Sequence, residues 1–183
     1  ITPCQKEYLL AFHKPAGIVC TTSKIDKNNV IDYLNFPERI YPVGRLDKES
    51  TGLLLLTNNG QLMDDVLRGS NYHEKEYIVH VNKPITDSVL QAMAQGVPIL
   101  DTITRPCKIR RMGKDCFYIT LTQGLNRQIR RMCEYFDYRV TSLKRIRIMN
   151  IELGSLPVGK WRELTPSEIK TLKNLAQNKG EAE

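Results

Sequence analysis

Arg45 and Asp47 stand two residues apart in the segment GRLDKESTGLLLL, immediately ahead of the four consecutive leucines Leu53 to Leu56. An aspartate displayed at the end of a rigid strand can act as nucleophile or base, and it needs a nearby cation to stay ionised once a cleft closes over it. The segment QGLNRQIRRM supplies candidates. Arg127, Arg130 and Arg131 fall at i, i+3 and i+4 of an expected helix capped by Asn126, clustered on one face. Ile129, Met132, Cys133 and Phe136 form the opposing apolar stripe. Taken alone, that helix suits docking on nucleic acid as well as it suits catalysis.

Two other readings of the aspartate segment compete. Asp47, Glu49, Thr51 and Gly52 superficially follow a calcium loop, but the twelfth position is Asn58, and such a site needs a bidentate carboxylate there. That reading is rejected. A structural turn fits better, with Asp47 accepting backbone amides and Gly44 and Gly52 permitting unusual φ angles.

The elements that would position these groups are legible from periodicity. EYLLAFHKP, GIVCTT, GLLLLTN, EKEYIVHVN and CFYITLT read as strands, and RVTSLKRIRIMNIEL as one or two long ones. In EKEYIVHVN, Tyr77, Val79 and Val81 share one face. NNVIDYLNF, GQLMDDVLRG closed by Gly69, ITDSVLQAMAQG capped by Thr86 or Asp87 and stopped by Gly96, LNRQIRRMCEYF, and TPSEIKTLKNLAQ read as helices. In the last, Thr165 and Glu168 can form a capping box, and the tail NKGEAE should fray. No regular βαβ alternation appears. The expected fold class is α+β, a largely antiparallel mixed sheet flanked by helices, in one domain over residues 1–183.

Net charge is +7 over 183 residues, concentrated between Arg105 and Arg147, where twelve Lys and Arg face three acids. Guanidinium groups at that density favour phosphate-bearing partners. Arg145 and Arg147 alternate on a strand and suit phosphate contact, while Trp161 and Tyr118 fit either base stacking or core packing. Five cysteines, none in a C-x-x-C pair, indicate neither a disulfide framework nor a zinc site. His13, His73 and His80 read as hydrogen-bonded structural residues. Without an apolar run of about 18 residues or a signal-like start, a soluble cytoplasmic protein is expected.

Three segments in order, GRLDKESTGLLLLTNNG, EKEYIV and GLNRQIRRM, together resemble the motifs of the RsuA/RluB/RluE/RluF group of pseudouridine synthases. The resemblance runs from LAFHKPAGIV to GKWRELTPSEI, and NYHEKEY, GVPIL and QGLNRQIRRMCE are nearest its RluF branch. It implies a pseudouridine synthase fold with an active-site cleft across the sheet, Asp47 as the essential aspartate, Tyr77 packed on the target ring and Arg130 paired with the carboxylate. It also implies that Arg45 helps displace the target base and that Lys75 has a supporting role. Asn126, Arg127, Arg131, Arg145 and Arg147 are then expected to contact RNA. Ile146, Ile148 and Leu153 are candidates for the small apolar active-site residue.

The implied reaction converts a uridine of large-subunit ribosomal RNA, with transfer RNA a further candidate, to pseudouridine, on a flipped-out base in a stem-loop. No metal or organic cofactor is implied, and a monomer is expected. The residues leave three paths open for the aspartate: attack at C1′, attack at C6, or elimination through a glycal. Members of the group usually carry an S4-type RNA-binding domain upstream, and the chain, opening ITPCQKEYLL, reads as a fragment without it. The rival reading is a noncatalytic basic RNA-binding module in which Asp47 only shapes a turn.

Overall fold

The computed structural model describes residues 6–23, 25–68 and 73–177. In chain order the first elements are β1 (Leu9–Lys14), α1 (Val30–Leu34), β2 (Tyr41–Val43), β3 (Thr51–Thr57), α2 (Gly60–Leu67), β4 (Lys75–Val81) and α3 (Asp87–Gln95). There follow β5 (Pro98–Ile99), β6 (Thr102–Ile103), β7 (Lys108–Arg111), β8 (Cys116–Leu121), α4 (Gln128–Tyr135), β9 (Val140–Ile148), β10 (Ile151–Glu152), β11 (Trp161–Glu163) and α5 (Pro166–Gln177).

Nine strands form one sheet in the order β11-β1-β3-β9-β4-β8-β7, with β2 added to β3 and β10 to β9, while β5 and β6 make a separate hairpin. All its pairings are antiparallel except β3 with β9, which run parallel from Thr51↔Lys144 and Gly52↔Arg145. The fold is thus α+β with a mixed, largely antiparallel sheet.

The leucine run of β3 has no polar partner face because both its faces are covered, which is why it does not alternate. Leu53 and Leu55 pack with Leu62 and Val66 of α2 and Leu172 and Ala176 of α5. Leu54 and Leu56 pack on the other side with Phe12 and with Val30 of α1. A third cluster joins Val79 and Val81 of β4 and Phe117 and Ile119 of β8 to Met93 of α3 and Ile129, Met132 and Cys133 of α4. Strands β3, β9 and β4 therefore form a stiff central plate, buried enough to hold loops at its ends in fixed positions.

Local signals account for most helix starts. Thr86 Oγ1 accepts from Val89 N at 3.3 Å and caps α3, which stops at Gly96. Thr165 and Glu168 exchange both hydrogen bonds of a capping box at the start of α5, at 3.1 and 2.9 Å. Two expectations change. GIVCTT forms no strand and contributes only an isolated bridge, Val19↔Asn29: both sides of β1, which it follows, are taken by β3 and β11, and its bridge goes to the residue that caps α1. α4 is not capped by Asn126: the cap is Arg127, in the left-handed region at φ 49° and without a side-chain cap bond. Gly69 and the tail NKGEAE lie outside the described residues. No helix among the described residues is long and apolar enough to cross a membrane.

Candidate active site

The turn between β2 and β3 carries Arg45, Asp47, Glu49 and Ser50. Its backbone is tied from beneath by Lys14, the last residue of β1, which is fully buried. Lys14 Nζ donates to the carbonyls of Pro15, Lys48 and Ser50 at 3.0, 3.1 and 2.8 Å. Burial lowers the pKa of this ammonium, and the nearby Cys20, Glu49 and Asp47 partly restore it. The turn closes through Ser50 N to Asp47 O at 2.9 Å and is braced by Gly17 N to Lys48 O at 2.7 Å. Gly52 lets the strand leave this turn: its φ is +110°, and a Cβ there would overlap the backbone of Arg145.

With its backbone held in this way, the Asp47 carboxylate has no part in the turn. It faces guanidinium groups instead. Arg130 Nε, from α4, lies 3.2 Å from Asp47 Oδ2, and Arg130 Nη2 donates to Ser50 Oγ at 2.8 Å. Arg127 Nη1 lies 3.7 Å from the same Oδ2 and 2.7 Å from Glu49 Oε1. Both arginines thus address one oxygen of Asp47, and among the described residues Oδ1 has no hydrogen-bond partner. Arg130 is buried, whereas Arg127 and Glu49 are half exposed. The Arg127 hydrogen bond raises the guanidinium's pKa, and Glu49, with a backbone hydrogen bond as the main cause and Arg127 and Arg130 adding, is held below the usual carboxylate range.

Arg127, Arg130 and Arg131 do not share a face as their spacing suggests. Arg130 turns inward to Asp47, while Arg131 folds back to Asn126, donating from Nε to its carbonyl at 2.9 Å and from Nη2 to Oδ1 at 2.8 Å. The left-handed start of the helix at Arg127 sends that side chain a third way, to Glu49. Asn126 therefore orders Arg131, and Gln128 Oε1 instead accepts from Leu125 N at 3.1 Å.

A cavity of about 800 Å³ opens beside this cluster, lined by Arg45, Asp47, Lys75, Tyr77, Arg127 and Arg145 among others. Tyr77 sits on β4 opposite Arg145, whose guanidinium carbon is 6.0 Å from the ring centroid. Arg145 is buried, with Nε donating to Leu53 O at 2.8 Å and Nη1 to Arg45 O at 3.5 Å. Arg147 leaves the cavity altogether and pairs with Glu74 at 3.1 Å and Glu76 at 3.3 Å. The expected phosphate-contacting face of Arg145 and Arg147 is therefore absent: one guanidinium braces the sheet beneath the cavity, and the other is neutralised by two acids. A register shift in β9 between the partners of Glu76 and Tyr77 separates them.

Of the apolar candidates, Ile148 and Leu153 belong to the core under α2 and α5, and Ile146 does not line the cavity either; Leu121 and Leu143 do. Trp161, edge-on to Phe36 at 5.3 Å, and Tyr118, under Arg110 at 4.3 Å, are outside the cavity wall. Periodicity missed Lys14, Glu49 and Ser50. A lysine at an inward position of an otherwise apolar strand, LLAFHK, is the signal that could have found the first. Among the described residues, no group of three or more His, Cys, Asp or Glu could hold a metal.

Comparison with known proteins finds relatives over most of the chain. Residues 8–135 match the family described as RNA pseudouridylate synthase. The chain is 53% identical over 169 residues to the dual-specificity RNA pseudouridine synthase RluF of Salmonella typhi, covering 92% of this chain and 58% of that protein. It is 34% identical to the ribosomal large subunit pseudouridine synthase B of Bacillus subtilis, covering 91% of this chain and 71% of the relative. A crystal structure of a pseudouridylate synthase superposes with a TM-score of 0.84 at 30% identity, covering 94% of this chain and 76% of that one. The chain thus spans about three fifths of the length of the RluF relatives it matches.

Proposed function

This chain belongs to the RNA pseudouridylate synthase family, and from that premise we propose that it isomerises a uridine of large-subunit ribosomal RNA to pseudouridine. Asp47 is the reacting carboxylate. The observation that carries the reading is the one-sided pairing of Asp47: Arg130 at 3.2 Å and Arg127 at 3.7 Å both engage Oδ2, while Oδ1 has no hydrogen-bond partner among the described residues, beside a cavity large enough for a nucleotide. Two guanidinium groups orient the carboxylate from one side, and its other oxygen faces the substrate.

The reaction breaks the bond from N1 of uracil to C1′, rotates the base, forms the bond from C5 to C1′ and releases the C5 proton, with no change of oxidation state. A base inside a helix presents neither C1′ nor C6 to a protein, so the nucleotide must leave the stack. Tyr77 offers the extruded ring a flat surface on the cavity wall. Arg45, exposed at the cavity, is placed to occupy the gap left in the RNA. The relative named as dual-specificity supports a second RNA substrate class, for which transfer RNA is the candidate that the motif resemblance implies.

A transcript of large-subunit ribosomal RNA tritiated at C5 of uridine provides the test. The protein is expected to release tritium, and Asp47→Ala to slow release by at least about 10³-fold while still binding the transcript. Retention of turnover by Asp47→Ala would reduce Asp47 to a turn residue.

A further inference from the structure

Lys75 is the first residue of β4, two positions before Tyr77, so both side chains leave the same face of the strand, on the order of 7 Å apart along it. Both line the cavity with Asp47. Lys75 has no hydrogen bond or ion pair among the described residues. Its sequence neighbours cannot serve it: Glu74 is taken by Arg147 and Lys108, and Glu76 by Arg147. Nearby, Nη2 of Arg145 is also buried without a partner. Two cationic side chains thus flank Tyr77 on one wall with unused donors, a costly arrangement unless negative charge arrives there.

The reaction brings such charge to the base. Heterolysis of the N1–C1′ bond leaves its electron pair on the uracil ring, delocalised from N1 to O2. Attack of the aspartate at C6 instead moves a ring pair to O4. When C5 bonds to C1′, the pair passes into the new bond, the C5 proton leaves to solvent and N1 takes up a proton. On each path a ring oxygen is transiently anionic.

We propose that the Lys75 ammonium is a further catalytic group of this site, stabilising the uracil ring oxygen that carries this charge; the proposal rests on the pseudouridine synthase reading. A ring lying on Tyr77 spans the distance from its face to the neighbouring side-chain position, where Lys75 stands at the ring's edge. A preorganised cation in a water-poor cavity acts more strongly on charge that develops in the reaction than on the neutral substrate. Burial, with the charge of Arg145 adding to it, brings the Lys75 pKa down to about 8, and no carboxylate offsets the shift. The charged groups facing the same cavity are Arg145 from β9, Arg45, Asp47, Lys48 and Glu49 from the β2–β3 turn, Arg68 after α2, Arg105 before β7, and Arg127 beside α4, with His73 preceding β4.

The test uses single-turnover tritium release from the same transcript. Lys75→Met, which keeps the apolar stem, is expected to lower the rate at saturating RNA by about 10²-fold with Kd within about twofold, and Lys75→Arg to recover part of that rate. In the wild type, kcat/KM should fall above about pH 8 as the free protein loses the Lys75 proton. Lys75→Met should lack that alkaline limb, and Lys75→Arg should displace it to higher pH. A weaker Kd with unchanged rate in Lys75→Met would make Lys75 a phosphate contact and overturn the proposal, as would an alkaline limb that survives the substitution. Absence of tritium release from the wild type would instead sink the underlying functional reading.

Discussion

Arg130 satisfies two oxygens at once, Asp47 Oδ2 through Nε at 3.2 Å and Ser50 Oγ through Nη2 at 2.8 Å, from a side chain only 10% exposed. That division fixes the direction of the carboxylate, because a planar guanidinium cannot rotate one bond without breaking the other. A lysine at this position would keep the charge, but its rotatable point-like ammonium would not fix the plane of the carboxylate as the guanidinium fork does. Arg130→Lys is therefore expected to slow single-turnover pseudouridine formation by about 10²-fold while changing RNA affinity by less than about twofold. Filter binding and tritium release on the same transcript separate the two effects. Equal losses in rate and affinity would identify Arg130 as a docking residue. Arg127 differs in kind: half exposed and held by Glu49 at 2.7 Å, it supports the carboxylate cluster from the solvent side.

At the scale of elements, the site depends on how closely β3 and β9 approach. They form the one parallel pair of the main sheet, and at Gly52↔Arg145 there is no room between them for a side chain. Gly44, at φ +82°, faces only the end of the Leu67 side chain, with 3.0 Å between its notional Cβ and Leu67 Cδ2. Gly52→Ala must move backbone, so it is expected to cost about 3 kcal/mol or more, a fall in Tm of on the order of 10 °C for a domain of this size. Gly44→Ala should cost about 1 kcal/mol, chiefly for its left-handed backbone. Thermal melts of the two variants compare them directly, and equal shifts would show that the β3–β9 approach stores no such energy. This dependence also marks how far the sequence could be read. The strand Leu53 to Leu56, the α5 capping box and the inward face of α4 were legible because periodicity and capping are local. The cap of α4 was not, since Arg127 adopts a left-handed conformation to meet Glu49, a residue 78 positions earlier in the chain. The short strands β7 and β11 escaped notice for the same reason: KIRR and WRE have no pattern of their own and become strands only beside β8 and β1. The pairing of Asp47 with Arg130 joins residues 83 apart, and motif resemblance, not spacing, anticipated it.

Across the whole molecule, the basic field between Arg105 and Arg147 is not one track. The sheet divides it. Arg105, Arg127 and Arg145 line the cavity. Lys108, Arg110, Lys144 and Arg147 project to the opposite face of the sheet, as the register Lys108↔Thr120↔Glu76↔Arg147 and Arg110↔Tyr118↔Ile78↔Lys144 requires. There Glu74 and Glu76 neutralise part of the charge, with Lys108 3.5 Å from Glu74, and Arg110 lies on the ring of Tyr118. Arg45 lines the cavity and is exposed at it, whereas Arg145 is buried. If phosphate contacts follow the cavity, Arg45→Gln should reduce the slope of log K against log salt by about 1 and weaken RNA binding at every salt concentration. Arg110→Gln, which removes an equal charge from the far face, should leave the slope unchanged and the affinity within about twofold, because at physiological ionic strength the Debye length is only about 8 Å. Salt titrations of binding for both variants decide between a directed and a diffuse field. Equal slope changes would mean that RNA wraps the sheet and reads both faces, whereas a change confined to Arg45→Gln would place the whole binding footprint on the side where Asp47 and Tyr77 stand.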